Sequence, residues 1–429
     1  MSDRPEPHRP RLLYLTRVYP YRPAFGGEIS YSRGVLESVA KACDLTVLAA
    51  TNGELPVGEQ RRDGVDWHLV PQSRRWQPLS MLTPMPNLPW RNATAAYRRK
   101  LAELLERPWE GVILDHFASA HVLPWIAAWR RRHPDGRLLY VAHEHERVTR
   151  SEKYARYGGN PLRLLAMRID GWKIGRLENA ILRTADIVSL INGGERHLFE
   201  ASVPNGRYIT TMPGYDGPRV ARREIDASVP RRVALLGGRG SLHKQHILTD
   251  WLEVAADRFA RAGVELDVIG DIGAELRATL QQRFPGVRFS GFVDDLAAHL
   301  QTCRLGVVPD TVGRGVKVRL ASYIFARVPL AGFRGAIDGL PIHANHDFIE
   351  APTLRSLAET CIAMIDDFER LNRLQNNAYA ACEHGFDWAT RGEAIVAAIK
   401  SPPLRHRALR HPTPLAALPV GERAQVQWS

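Results

Sequence analysis

The stretch 306–332 limits most severely what this chain can fold into. It follows an apolar run, Leu305–Val308, with the length and composition of a buried parallel strand, and Pro309 ends that run because proline cannot donate to a sheet ladder. A turn bearing Gly313 and Gly315 comes next. Val316, Leu320, Tyr323 and Ile324 then recur at helical spacing, and a second short strand is predicted at 328–332. Backbone N–H groups at such a helix N-terminus, with the positive end of the helix dipole behind them, favour an anion. Arg314, Lys317 and Arg319 add formal charge, so the expected ligand is a phosphate group.

The layout recurs upstream. Val233 to Leu236 reads as a buried strand, Gly237-Gly238 as a turn, Arg239 and Lys244 as positive charges on a βα loop, and 247–260 as a helix. Further strands are predicted at 264–270, 287–289 and 329–331. Two loops rich in glycine and basic residues at the carboxyl edge of one sheet can converge on a single diphosphate.

The first half alternates in the same way. A strand at 11–16 leads through Gly26-Gly27 into a helix at 29–41, and strands follow at 45–50, 66–70, 111–115, 137–142, 185–191 and 208–212, with amphipathic helices between several of them. This pattern predicts a doubly wound parallel sheet. Gly26-Gly27 lacks the remainder of a dinucleotide fingerprint, so it predicts only a tight turn or a close backbone approach to a ligand. The turn-rich 213–218 predicts the link between two domains, 1–217 and 218–385, followed by a helix at 386–400 and a disordered tail at 401–429.

His143-Glu-His-Glu146 stands directly after a predicted strand, where open α/β sheets place their ligand sites. His143 there can act as a base or hydrogen-bond a sugar hydroxyl, with Glu146 to orient it. The spacing matches no compact zinc pattern. The segment 71–90 holds Trp76, Leu79, Met81, Leu82, Met85, Leu88 and Trp90 among five prolines. That density argues against a regular helix and for a flap that meets a bilayer interface or closes over an acceptor.

Charge narrows the partners. The net +12 falls mainly on 1–217, where 31 Lys and Arg face 23 Asp and Glu. A basic surface attracts nucleic acid, anionic membrane or phosphorylated ligands alike, but no zinc-finger or RNA-binding signature accompanies the clusters, so nucleic acid is not expected. No apolar run is long enough to span a bilayer, and the polar, proline-rich N-terminus lacks a secretory signal. Four dispersed cysteines suit a reducing compartment. A cytoplasmic location is expected, with peripheral contact at the inner membrane face.

Together these residues resemble the retaining GT-B glycosyltransferases, specifically the large group numbered family four. The likeness rests on Gly238-Arg239 with Lys244 five residues on, and on Gly313-Arg314-Gly315-Val316-Lys317-Val318-Arg319. It also rests on Gly26-Gly27, His143 to Glu146, Glu178 ahead of Ala185-Asp186, and Phe386-Asp-Trp388. Asp310 and Thr311 stand where the widespread family motif has its first acidic residue, and no glutamate follows Lys317 in the helix. The resemblance implies two Rossmann-like domains facing across a cleft and a retaining hexosyl transfer from a nucleotide diphosphate sugar, with no cofactor or metal. It implies His143, Arg239 and Lys244 as catalytic, and Gly237, Gly238, Gly313, Arg314, Gly315, Val316 and Lys317 at the donor diphosphate. Gly26, Gly27 and Glu146 would line the acceptor side. The acceptor would be a saccharide or a lipid-linked saccharide in polysaccharide or glycan synthesis. The alternatives are a non-hydrolysing nucleotide-sugar epimerase of the same fold and a non-catalytic basic binding protein.

Overall fold

A computed structural model describes residues 8–21, 26–51, 57–72, 75–237, 242–312 and 316–402. Among them eight strands form a first sheet: β1 (Arg11–Leu15), β2 (Asp44–Thr51), β3 (Gly58–Arg62), β4 (Val65–Pro71), β5 (Gly111–Asp115), β6 (Arg137–Ala142), β7 (Ile187–Leu190) and β8 (Tyr208–Thr210). Their spatial order is β3-β4-β2-β1-β5-β6-β7-β8. All neighbours run parallel except β3, which pairs antiparallel with β4. Sequence reasoning passed over β3 because its Gly-Glu-Gln-Arg-Arg has no apolar face. The signal lay in the turn, since Asp63 and Gly64 both take positive φ (52° and 78°), as a two-residue hairpin of the Asp-Gly type requires.

The second sheet contains β9 (Arg232–Leu236), β10 (Glu265–Ile269), β11 (Arg288–Gly291), β12 (Leu305–Val308), β13 (Leu330–Phe333) and β14 (Ile349–Ala351). It is wholly parallel in the order β11-β10-β9-β12-β13-β14. The three-residue β14 is too short to register as a pattern in sequence. Strand order reverses between β1 and β5 in the first sheet and between β9 and β12 in the second. Open α/β sheets hold ligands in the crevice beyond such a switch point. All four cysteines are buried free thiols.

The last described helix, Trp388–Lys400, lies across the helix Gly27–Ala42, and its Ile395, Val396 and Ile399 join the first sheet's core. The two backbones approach so closely that a Cβ on Gly392 would stand 2.2 Å from Ser38 O. In 71–90 the expectation of no regular helix is corrected: a 3-10 turn runs over Gln77–Leu82 and an α-helix over Asn87–Asn92. Pro89 is tolerated because it occupies the first turn, where an N–H has no intrahelical acceptor in any case. Among the described residues no helix is long and apolar enough to cross a membrane.

Candidate functional site

His143 extends from the carboxyl end of β6, and its Nε2 lies 2.9 Å from Asp115 Oδ1 at the end of β5. Thr16 Oγ1, just beyond β1, donates to the other oxygen, Oδ2, at 3.1 Å. Both acidic and imidazole groups are buried. Burial acts to raise the Asp115 carboxyl, but the hydrogen bond and charge of His143 outweigh it and the net shift is downward. Asp115 is therefore an ionised acceptor, so Nε2 carries a proton, and in the single-proton tautomer that this bond selects Nδ1 is an acceptor. Among the described residues that buried Nδ1 has no hydrogen-bond partner.

The ring of His143 is boxed edge-on by Tyr31 (centroids 5.2 Å) and His116 (4.7 Å). Tyr31 belongs to the helix that starts at Gly27, and His116 Nε2 faces Glu28 of the same helix at 3.4 Å. Gly26, at φ 130°, makes the turn that admits this helix. Among the described residues no atom would meet a Cβ on Gly26 or Gly27 within 4 Å, so on that side the two glycines open onto space beside the His143 group. His116 itself sits at φ 65°, a conformation uncommon outside glycine. Asp115, His116, Tyr31 and Glu28 were not singled out from sequence, because nothing in one dimension ties position 115 to 143.

Glu146 does not orient His143; that expectation is corrected. It is buried with Oε2 on Arg150 Nε at 3.2 Å. Burial and the neighbouring Glu144 push its pKa up. Glu178 is buried too and accepts from the backbone N–H groups of Glu146 (2.7 Å) and Arg147 (3.0 Å), which pins the start of the helix Glu146–Ala155. Burial lifts its pKa to about 8, against those hydrogen bonds. Asp186 is structural: it binds Arg130 at 2.7 Å and accepts from Leu138 N at 2.8 Å.

In the second domain Gly237 ends β9 at φ 121°. The four residues after it, including Gly238 and Arg239, lie outside the described residues, as do Gly313, Arg314 and Gly315. Lys244 stands in the first turn of the helix Leu242–Arg261 and not on a loop. The helix begins earlier than expected because His243 and Lys244, both half-buried, stand one turn before Ile247 and Leu248, and Trp251 and Leu252 continue that face, the last four being buried. His243 beside it is pushed down to about 4 by burial and by Lys153 and Lys244. Lys153 belongs to the first domain, so this helix end faces the helix Glu146–Ala155.

Lys317 and Val316 precede a helix that starts only at Arg319. Burial lowers the Lys317 pKa, with Asp310 acting against it and Asp338 and Glu195 also in range. Arg319 is bound to Asp310, so its charge is matched inside its own domain. Val316 and Val318 pack against the first domain's core, which holds the intervening Lys317 at the junction. Arg156 of the first domain donates to Thr311 Oγ1 at 2.7 Å and to its carbonyl at 2.8 Å. A cavity of about 360 Å³ opens between the two carboxyl edges, with Asn192 and Glu195 on one wall and Asp338, Gly339 and His343 on the other. That volume suits a small ligand.

Residues 234–367 match the family model for glycosyl transferases group 1. No curated protein sequence matches the chain. Among solved structures, sucrose-phosphate synthase from Thermosynechococcus elongatus is similar at a TM-score of 0.65 and 16% identity, over 90% of this chain and 97% of that one. HepE of Anabaena, in complex with UDP and glucose, is similar at 0.59 and 15%, over 92% and 100%. WaaG, a glycosyltransferase involved in lipopolysaccharide biosynthesis, is similar at 0.57 and 15%, over 91% and 100%. At these identities the likeness is one of fold. The chain has the GT-B architecture, two parallel-sheet Rossmann-like domains meeting at their carboxyl edges, and its second domain matches the group 1 glycosyl transferases.

Proposed function

We propose that the protein is a glycosyltransferase that moves a hexosyl group from a nucleotide diphosphate sugar to a saccharide or lipid-linked saccharide acceptor. The observation that carries this is the match of the second domain to the group 1 glycosyl transferases on a fold whose two carboxyl sheet edges bound one cavity, with the His143–Asp115 pair at the first edge and Lys317 held at the junction by Val316 and Val318. Cleavage of the sugar–phosphate bond develops negative charge on the departing diphosphate. Arg239, Lys244 and Lys317, with the backbone beyond Gly237 and Gly315, would stabilise that charge where it forms. Nδ1 of His143, an acceptor with no protein partner among the described residues, would hold a hydroxyl of the donor sugar or the incoming acceptor. HepE is a fold relative in complex with UDP and glucose, which makes a UDP-sugar the first donor to try. The likeness to WaaG supports a lipid-linked acceptor and a role in polysaccharide or glycan synthesis.

A thermal-shift screen against UDP-, GDP-, ADP- and TDP-sugars tests donor binding, because a ligand at about 100 times its Kd adds about 2.7 kcal/mol of stability. With the donor found, Arg239→Ala and Lys244→Ala should each cost on the order of 2–4 kcal/mol in the transition state for transfer. Both variants retaining parental transfer rates would overturn the assignment. Turnover of the nucleotide sugar without acceptor would identify an epimerase instead. Proton NMR of the product decides the stereochemistry: the same anomer as the donor supports the retaining outcome, and the opposite anomer would make His143–Asp115 a general-base pair.

A further inference from the structure

Exposed large apolar side chains are not scattered over this molecule. Of the ten among the described residues, seven belong to two segments: Trp76, Leu79 and Leu82 in the proline-rich stretch, and Leu162, Leu164, Leu165 and Trp172 on the helix Pro161–Thr184. Trp76 is 68% exposed, Leu82 83%, Leu162 76% and Trp172 62%. The two segments touch. Lys173 Nζ donates to the carbonyls of Ser80 (2.9 Å) and Met81 (3.2 Å), and Asp170 Oδ1 accepts from Asn87 N at 2.7 Å.

The helix is built to present this face. Asn160 caps it, accepting from Arg163 N at 2.9 Å, and Pro161 occupies its first turn. Its buried side, Asp170, Lys173, Ile174, Glu178 and Ile181, is spent on the first domain. Leu162, Leu165, Ile169 and Trp172 recur at three- and four-residue intervals on the side left over. A contiguous apolar face of this kind is uncommon on a protein that meets only water.

Charge names the occupant. No acidic residue occurs between Asp66 and Glu103, while Arg74, Arg75, Arg91, Arg98, Arg99 and Lys100 do. From 153 to 177 six basic residues face one acid, and that acid, Asp170, is buried and already accepts from Asn87 N and Tyr154 Oη. Arg75 lies over the Trp90 ring at 3.5 Å and Arg176 over Trp172 at 5.6 Å. Trp and Leu flanked by arginine, with acids removed, is the composition that favours the boundary of an anionic bilayer. The rings and aliphatic chains enter the headgroup region while the guanidinium groups meet lipid phosphates.

We infer that Trp76–Leu82 and the exposed face of the helix Pro161–Thr184 together form one docking surface for an anionic lipid bilayer. The inference deepens the lipid-linked acceptor proposed above and rests on that proposal for its purpose. Binding to vesicles can be measured without any sugar transfer, so the two can fail separately.

The test is flotation of the full chain with phosphatidylcholine vesicles and with vesicles that also contain phosphatidylglycerol. The parent should float with the anionic vesicles and release as salt is raised. Leu165→Ser with Trp172→Ser, Trp76→Ser alone, and Arg168→Glu with Arg176→Glu should each lower the bound fraction, the paired changes by about tenfold or more. These side chains are exposed, so the melting temperature and nucleotide binding of the variants should match the parent. A parent that does not float, floats equally with neutral vesicles, or is unaffected by all three variants overturns the inference. So does a parent dimer that the Leu165 and Trp172 changes convert to monomer without any vesicle binding, since the face would then belong to a second copy of the chain. Parental flotation with no nucleotide-sugar binding would leave the docking surface standing and remove the transferase.

Discussion

One nitrogen of His143 is committed to Asp115, and that commitment fixes what the other can do. Asp115 is ionised and can only accept, so it selects the tautomer whose Nδ1 lone pair is available to a hydroxyl. Asp115→Asn would allow the amide to donate to Nε2 and reverse the ring's roles, while His143→Ala removes the ring. Each change should lower turnover by about 10²-fold, because misplaced reacting groups are costly even when binding persists. The double variant should be little worse than either single one, since the pair acts as a unit. Isothermal titration of UDP beside a transfer assay checks both halves. A variant that loses nucleotide affinity yet turns over normally would place His143 on the donor side of the cleft. His143 itself was visible in sequence, as a polar cluster after an apolar strand. Asp115 was not, because β5 and β6 become neighbours only in the folded sheet.

At the scale of elements, the helix Trp388–Lys400 is attached to the first domain through small residues. Trp388 lies where a Cβ on Gly34 or Gly214 would collide with its ring, and Gly392 lets the backbone of Ser38 come close. Gly392→Ala should therefore force the helices apart and cost about 1–3 kcal/mol, although alanine is the better helix former by about 0.5–1 kcal/mol. Gly171, in the helix Pro161–Thr184, has among the described residues no atom within 4 Å of where a Cβ would sit, and it should gain by the same substitution. Urea denaturation of both variants measures the contrast, and equal effects would show that the close approach is not limiting. Prolines in 71–90 misled by number. What matters is where each one falls in a turn, and Pro78 and Pro89 both fall in first turns.

For the whole molecule, the buried carboxylates tie stability to pH. Glu178 has a folded pKa of about 8 against an ordinary 4.5, so the folded state binds the proton more tightly than the unfolded chain does. The sign follows: stability is greatest below the ordinary value and is lost as pH rises through the folded one. Glu178→Gln keeps an acceptor for the N–H groups of Glu146 and Arg147 and cannot ionise. Its unfolding free energy should fall less than the parent's between pH 5 and pH 8, a difference on the order of 3 kcal/mol. Identical profiles would show that Glu178 is not responsible for the slope.

Apart from β3 and β14, the strands, their parallel sense and the two-sheet organisation were legible because each is a local matter. Val233 to Leu236 and Leu305 to Val308 are apolar on both faces, as only strands covered by helices on both sides need be, and glycine and proline mark where they stop. Such information lies within a few residues of the place it acts. The partners at the site were set at long range. Asp115 reaches His143, Arg319 is matched by Asp310, Arg156 holds Thr311 across the cleft, and Lys173 joins the helix Pro161–Thr184 to the stretch at Ser80. A sequence states which side chains can donate, accept or avoid water. Only the packing of the two sheets decides which of them meet, because a hydrogen bond depends on distance and angle in space and not on separation along the chain.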